Sequence, residues 1–205
     1  MAYFPFFVDL AGKSGLIAGG GTVALGKARR LLPYGPRLTV AAPEILPELE
    51  ALPGVEALKM PFRPELLEGR FFVIAATDAP EENRRIAALC KERGILVNAA
   101  DDREACAFLF PALVRQGELS IGVSTGGASP SAAVWMKERV AAQVPENFGA
   151  LLEYLAGLRP RVRALVPAPS RRGAVFSRLF DACLERGVPL PEDVVMSILR
   201  EEEPE

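Results

Sequence analysis

The chain has 205 residues, of which 50% are hydrophobic and 24% are charged, with 24 Lys and Arg against 26 Asp and Glu. This composition is typical of a folded globular protein and excludes a disordered or fibrous chain. The formal net charge of −2 argues against a dedicated nucleic-acid-binding protein, which usually carries a basic surplus. The chain contains no histidine, so proton chemistry near neutral pH has to use a carboxylate, cysteine, tyrosine or lysine.

The three cysteines, Cys90, Cys106 and Cys183, are far apart and show no spacing typical of a zinc site. We expect them to be buried thiols in a reducing compartment. The apolar start of the chain, residues 1–13, is too short to span a membrane and lacks the basic region of a signal peptide. These features predict a cytoplasmic protein without a bound metal and without a membrane partner.

Apolar segments that predict strands alternate with segments that predict helices through the first half of the chain. Strands are predicted at 15–18, 37–41, 70–77 and 95–100, and helices at 23–32, 43–52 and 80–93. The third of these strands is apolar on both faces, as buried parallel strands are. The alternation predicts an α/β fold of the Rossmann type, in which helices cover an open parallel sheet.

The second half of the chain changes character. Residues 107–115 and 118–124 flank the pair Gln116-Gly117 and predict a hairpin. Ser129 is a suitable N-cap for a helix over 131–143, with Pro130 at its first position. The remainder is predicted to be helical, with breaks at its prolines: Pro160, Pro167, Pro169, Pro189 and Pro191. These changes place domain boundaries near residues 112 and 150.

The segment GGGTVA, residues 19–24, matches the G-x-G-x-x-A form of the dinucleotide fingerprint. It follows a predicted strand and opens a predicted helix, which is the context that this motif requires. The first glycine permits a tight turn, the second lets the backbone approach a pyrophosphate, and Ala24 allows the helix to pack closely on the strand. Cofactor binding is therefore favoured over a merely structural turn.

One part of the fingerprint is absent. At the end of the second predicted strand, where an acidic residue usually holds the ribose hydroxyls, the sequence reads VAAPE over residues 40–44. Glu44 or the backbone of Pro43 could contact the ribose, or Glu44 could simply begin a helix. No arginine directly follows the strand to hold a 2′-phosphate, which favours NAD over NADP.

Asn98, Asp101 and Asp102 lie at the end of the predicted strand 95–100. Ligands of open α/β sheets bind beyond the carboxyl ends of the strands, so a carboxylate here could face a nicotinamide. The alternative is a solvated aspartate in a turn.

Five motifs then follow one another along the chain: GGG-x-VA-x-x-KAR from Gly19, AATD from Ala75, N-x-x-D from Asn98, F-x-x-P from Phe108 and STGGASP from Ser124. Together they resemble the precorrin-2 dehydrogenase / sirohydrochlorin ferrochelatase family, which forms siroheme. The resemblance covers nearly the whole chain, from about residue 5, although the helical tail matches only in character. With no room for a fused methyltransferase domain, the chain is similar to the stand-alone form.

The resemblance implies NAD-dependent oxidation of precorrin-2 to sirohydrochlorin and leaves open a second step, the insertion of Fe²⁺. It also implies a homodimer joined through residues 113–150, where Trp135 and Met136 are expected in the core or at the interface. It assigns the catalytic role to Asp101. Cofactor contacts by resemblance are Gly19, Gly20, Gly21, Thr22, Val23, Pro43, Glu44, Thr77 and Asp78.

The substrate of that family carries several carboxylates, and residues 159–178 contain six arginines and no acidic residue. Arginine forks bind carboxylates bidentately, although a solvated basic helix face would look the same. The loop 124–130 could hold carboxylates with backbone amides at a helix start, or be an ordinary glycine-rich connection. The predicted substrate contacts are Asn98, Ser124, Gly126, Gly127, Ser129, Arg171 and Arg172.

A regulatory module that binds NAD without catalysis is the main alternative, and it would need neither Asp101 nor the arginine-rich segment. A short-chain oxidoreductase is disfavoured because Tyr154 is followed by Leu158, so the Tyr-x-x-x-Lys pair of that class is missing. The sequence therefore predicts three regions: a nucleotide-binding domain over 1–112, a dimerisation region over 113–150 and a helical domain over 151–205.

Overall fold

Five parallel strands form the sheet of the first unit in the computed structural model, which describes residues 3–200 and divides between residues 110 and 111. The strands are β1 (Ser14–Ala18), β2 (Arg37–Ala41), β3 (Val55–Leu58), β4 (Phe72–Ala75) and β5 (Leu96–Ala99). Their order across the sheet is β3-β2-β1-β4-β5, so the chain changes direction across the sheet at β1 and β4. The predicted Rossmann-type fold is confirmed.

Helices cover both faces of this sheet. They are α1 (Thr22–Leu31), α2 (Pro47–Glu50) and α3 (Pro80–Glu92), with 3₁₀ turns at Leu32–Tyr34 and Pro64–Leu67. Successive strand residues point to opposite faces, so Leu16 packs in one core cluster with Ile86 of α3, while Ile17 packs in the other with Ala28 of α1. Each fully buried leucine or isoleucine side chain contributes about 1.5–3 kcal/mol to stability, which explains the apolar runs LIA of β1 and FVIA of β4.

Two features of this unit differ from the sequence predictions. The predicted helix 43–52 is observed only over Pro47–Glu50. The residues before it lie beside the glycine turn 19–21, where the Leu46 N–H donates to the Gly20 carbonyl at 2.9 Å. The edge strand β3 was not predicted, since its sequence VEAL contains the charged Glu56 and lacks the apolar run of a buried strand.

The second unit combines a hairpin with four helices. Strands β6 (Ala112–Gln116) and β7 (Leu119–Val123) pair antiparallel, and α4 (Pro130–Ala141), α5 (Phe148–Leu165), α6 (Pro169–Arg186) and α7 (Glu192–Arg200) follow. The predicted hairpin and helical C-terminal region are confirmed. The last five residues of the predicted C-terminal domain and the first two of the chain lie outside the described range.

The break predicted at Pro160 is wrong, because this proline lies inside α5. Proline costs a helix one backbone hydrogen bond and crowds the preceding turn. Here the helix continues because its following turn is anchored: Val162 is fully buried in one cluster with Val175 and Leu179 of α6. Packing therefore outweighs the local preference.

Trp135 and Met136 of α4 are not core residues of the second unit. Their side chains are 52% and 44% exposed, and the neighbouring Val134 is 44% exposed. The other expected position, an interface between two copies, stays a prediction. Within residues 3–200, no helix combines the length and apolar character needed to cross a membrane.

Arg70 connects β1, β2 and the turn Pro64–Leu67 near the amino-terminal end of the sheet. Its guanidinium donates to Ser14 Oγ at 3.0 Å, to Thr39 Oγ1 at 2.8 Å and to the Leu66 carbonyl at 3.0 Å. Thr39 is only 3% exposed and donates in turn to Glu56 Oε2. One side chain therefore satisfies several partly buried acceptors at once.

We predict that Arg70→Met lowers the free energy of unfolding by about 1–3 kcal/mol, because hydrogen bonds to a charged group are lost and their acceptors stay partly buried. Urea denaturation followed by circular dichroism measures this change. The control is Arg29→Met on the exposed face of α1, which should change stability by less than about 0.5 kcal/mol. Equal denaturation midpoints for the two variants would contradict the prediction.

Candidate functional site

The glycine turn is held between the ends of two strands. Gly19 has φ of 129°, a conformation that other residues rarely adopt, and a Cβ there would lie 2.0 Å from the Ala76 carbonyl oxygen. A Cβ on Gly20 would lie 2.0 Å from the Glu44 carbonyl oxygen. Backbone contact alone therefore requires glycine at these two positions.

Gly21 differs from its two neighbours, since a Cβ there would meet nothing within 4 Å. It is the N-cap residue of α1, it makes no side-chain cap bond, and the first turn of the helix contains no acidic residue. The first amides and the positive end of the helix dipole therefore remain available to an anion. Open space above these amides is what a dinucleotide pyrophosphate needs, so the residues fit the predicted cofactor.

A cavity of about 430 Å³ lies at the carboxyl ends of β1, β4 and β5. Its wall comprises residues 21–23, 76–78 and 100–102 together with Pro80, Asn83 and Arg84. It lies at the point where the strand order reverses, which is where open α/β sheets bind ligands.

Six of the predicted cofactor and catalytic residues line this cavity: Gly21, Thr22, Val23, Thr77, Asp78 and Asp101. Gly19 and Gly20 belong to the turn itself and are not among the residues that line the cavity. Pro43 and Glu44 are exposed and do not belong to the described wall of the cavity. The Glu44 carbonyl instead lies against Gly20.

Asn83 was missed by the sequence reasoning, although it shapes the cavity wall. Its side chain is 4% exposed, and its Oδ1 accepts from both the N–H and the hydroxyl of Thr77, at 3.0 and 2.8 Å. Its Nδ2 donates to the Thr77 carbonyl at 3.0 Å. The available signal was an asparagine at the fourth position of a predicted helix that follows a strand end.

Asp101 is the only non-glycine residue with positive φ in the described part of the chain, at 59°. This conformation costs about 1 kcal/mol or more. The loop that imposes it closes on the thiol of Cys106, which accepts from the Ala99 N–H at 3.2 Å and has the Asp102 carbonyl as an acceptor at 3.2 Å. The Ala105 N–H also donates to Asp102 Oδ1 at 3.1 Å.

Asn98 lies beneath this loop. It is 5% exposed, and its Nδ2 donates to the Phe108 carbonyl at 2.9 Å and to the Cys106 sulfur at 3.3 Å. These bonds tie the strand end to the returning chain and give Asn98 a positioning role. Its predicted contact with a substrate stays a prediction.

A lysine amine lies on the α1 side of the same loop. Lys27 Nζ is 3.8 Å from the centroid of the Phe110 ring. Burial, together with the nearby Arg30, lowers the pKa of Lys27 from its ordinary value, while the nearby Asp101 carboxylate opposes this shift. A partly desolvated amine thus lies within electrostatic reach of Asp101, a relationship that the KAR motif by itself did not indicate.

In the second unit, the predicted loop residues bond mainly to one another. Ser129 Oγ accepts from the Ala132 N–H at 3.2 Å, so the predicted N-cap of α4 is confirmed. Thr125 Oγ1 accepts from the Ser129 N–H, and Ser124 Oγ accepts from the Gly126 N–H, both at 3.2 Å. These bonds fix the loop, and its predicted role in substrate binding, including that of Gly127, stays a prediction.

The arginine-rich segment is partly used inside the second unit. Arg172, in the first turn of α6 beside Arg171, donates to the carbonyls of Val166 and Pro167 at 2.8 and 2.9 Å and so caps the end of α5. Arg161 pairs with Glu192 of α7. Although residues 159–178 contain no acidic residue, Arg161 and Arg172 therefore have partners elsewhere in the second unit.

Two family models match the chain. Residues 6–112 match the family described as "Putative NAD(P)-binding", and residues 116–143 match the central part of sirohaem biosynthesis proteins. The first match covers more than half of the chain.

Curated relatives of the chain include siroheme synthases. The chain is 37% identical to siroheme synthase 1 of Aeromonas salmonicida over 185 residues, and 37% identical to siroheme synthase of Chromobacterium violaceum over 191 residues. These alignments cover 89% and 92% of this chain but 40% and 41% of the relatives, so the chain spans less than half of their length. Among solved structures, SirC, a precorrin-2 dehydrogenase, matches 97% of this chain and 98% of its own, with a TM-score of 0.72 and 26% identity.

We predict that Gly20→Ala and Gly21→Ala fail in different ways. The alanine methyl at position 20 clashes with the Glu44 carbonyl, so we expect a loss of stability of at least about 1–3 kcal/mol. At position 21 the methyl enters open space, so the protein should fold normally and lose affinity for NAD. Thermal unfolding and calorimetric NAD titration measure the two effects. Unchanged NAD affinity of Gly21→Ala would contradict the prediction that the pyrophosphate binds at the start of α1.

Proposed function

Because the chain belongs to the NAD(P)-binding family matched over residues 6–112 and also matches the central part of sirohaem biosynthesis proteins over residues 116–143, we propose that it is an NAD-dependent precorrin-2 dehydrogenase. The product would be sirohydrochlorin, in the route to siroheme. The similarity to SirC along almost the full length of both chains supports the proposal.

One observation carries the proposal: Gly21 at the start of α1 and Asp101 after β5 line the same cavity. A dinucleotide whose pyrophosphate lies on the α1 amides would extend towards the ends of β4 and β5. Thr77 and Asp78 form the wall on the way, and Asp101 follows β5.

The reaction removes a hydride and a proton from precorrin-2. When bound, NAD⁺ supplies the acceptor of the two electrons, and NADH and H⁺ are formed. Asp101 is the residue proposed to accept the proton, because it faces the cavity in a chain without histidine. The loop closed by Cys106 and Asn98 holds the exposed Asp101 at the wall of the cavity.

Cofactor binding is proposed for the residues predicted from sequence: Gly19, Gly20, Gly21, Thr22, Val23, Pro43, Glu44, Thr77 and Asp78. The first two would act through the backbone of the turn, and Pro43 and Glu44 at the ribose. NAD is proposed over NADP because no arginine directly follows β2.

The second unit is proposed to supply further substrate contacts and the dimer interface. The family match over 116–143 supports a separate region over 113–150, between the domains 1–112 and 151–205. The exposed Trp135 and Met136 of α4 support an interface between two copies. The proposed substrate contacts, with Asn98, remain Ser124, Gly126, Gly127, Ser129, Arg171 and Arg172. Arg172 also donates to the carbonyls of Val166 and Pro167.

Insertion of Fe²⁺ into sirohydrochlorin is proposed as a second activity of the same site. The tetrapyrrole supplies the nitrogen ligands, and the entering ion displaces pyrrole N–H protons, so one carboxylate could serve both steps. A cytoplasmic location is proposed as well, because all three cysteines are unpaired thiols.

The decisive experiment is an anaerobic assay of the purified protein with fresh precorrin-2 and NAD⁺. We expect one NADH for each sirohydrochlorin, followed by absorbance, and siroheme formation faster than the spontaneous rate once Fe²⁺ is added. Binding of NAD⁺ without any NADH would contradict the dehydrogenase and favour the NAD-sensing module. Siroheme at the spontaneous rate would remove the second activity only.

We predict that Asp101→Asn lowers kcat for precorrin-2 oxidation about 10²–10⁴-fold, because the amide cannot accept the proton. Calorimetry should give unchanged NAD⁺ affinity. The matched control is Glu104→Gln, which removes one charge from an exposed position of the same loop and should retain kcat. Equal kcat values for the two variants would overturn the role of Asp101.

A further inference from the structure

Two adjacent arginines of α3 have different environments. Arg85 holds Glu82 with two hydrogen bonds of 2.7 and 2.8 Å, and its guanidinium lies 5.6 Å from the centroid of the Phe62 ring. This bonding holds the pKa of Glu82 below its ordinary value. Arg84 has no such partner on its own helix in the described residues and lines the cavity instead.

The pairing of Arg84 is weak. Its NH1 is 4.0 Å from Asp102 Oδ2, with side chains 58% and 27% exposed. An exposed ion pair at this distance contributes little, and Asp102 already accepts the Ala105 N–H through its other oxygen. A guanidinium has five N–H donors, so most of the hydrogen-bonding capacity of Arg84 is unused in residues 3–200.

Arg84 differs in the sign of its charge from the other charged residues of the cavity wall. Asp78, Asp101 and Asp102 line the wall, and Arg84 is the single cation among the described wall residues. Lys27 approaches Asp101 from the α1 side but does not belong to the wall. A ligand rich in carboxylates would be repelled by three aspartates unless one of its acid groups found a cation.

We propose that Arg84 forms a carboxylate subsite that binds one acid side chain of the tetrapyrrole, displacing Asp102 from the guanidinium. This inference rests on the proposed function and specifies its substrate contact. A carboxylate matches the planar guanidinium fork and can replace the 4.0 Å pair with two short hydrogen bonds. The diphosphate of the nucleotide already has its own place at the amino end of α1, whereas Arg84 lies beside Asp102, next to Asp101.

The test compares Arg84→Gln and Arg84→Lys with the control Arg85→Gln in the precorrin-2 assay. We expect Arg84→Gln to raise KM for precorrin-2 roughly tenfold, as the loss of a charge-assisted hydrogen bond predicts, with kcat and the NAD⁺ dissociation constant unchanged. Arg84→Lys should give an intermediate KM, since it keeps the charge and loses the fork. Arg85→Gln should leave KM unchanged.

Asp102→Asn supplies a second, opposite prediction. The amide oxygen still accepts the Ala105 N–H, but the charge that competes for Arg84 is gone, so KM for precorrin-2 should fall. An unchanged KM in Arg84→Gln would overturn the subsite, and so would a weaker NAD⁺ affinity, which would assign Arg84 to the nucleotide.

Absorbance titration with sirohydrochlorin, without nucleotide, keeps this inference separate from the proposed activity. If the wild-type protein binds sirohydrochlorin but forms no NADH, the dehydrogenase fails, whereas tenfold weaker binding by Arg84→Gln still supports the subsite. Equal binding by both proteins, or no binding by either, would overturn it.

Discussion

Close backbone contact at the glycine turn is the constraint on which the rest of the first unit depends. Gly19 lies against the Ala76 carbonyl after β4, and Gly20 lies against the Glu44 carbonyl after β2, at distances that no side chain permits. This contact fixes where α1 begins and directs its free amides into the space beyond the strands. The helix α2 begins only after the residues that lie beside this turn.

The catalytic candidate is held by a different means. Asp101 occupies a conformation that costs free energy, and the surrounding bonds offset that cost: the Cys106 thiol, the buried Asn98 amide and the Asp102 carboxylate all bind the backbone of its loop. Burial raises the pKa of the Cys106 thiol, which keeps it protonated. A short loop that is bonded to the end of β5 can thus hold a carboxylate at a cavity.

The arginines of the two units differ in how closely they are paired with other groups. Most arginines with close partners serve the fold: Arg70 joins strands, Arg85 holds Glu82, and Arg172 caps a helix. Arg84 has a long, exposed pair and faces the cavity. A cation that the fold uses so little is the kind of group that can exchange its partner for a ligand.

The sequence by itself determined the strand and helix alternation, the glycine turn and the Ser129 cap, because each depends on residues close along the chain. The position of Asp101 after a strand left a solvated turn as the alternative, and the catalytic assignment came from the family resemblance. Only the tertiary structure decided that Pro160 stays within a helix, that β3 joins the sheet, and that Asn83 and Arg84 reach the cavity. The physical reason is that packing and side-chain bonding join residues far apart in sequence, which no local pattern records.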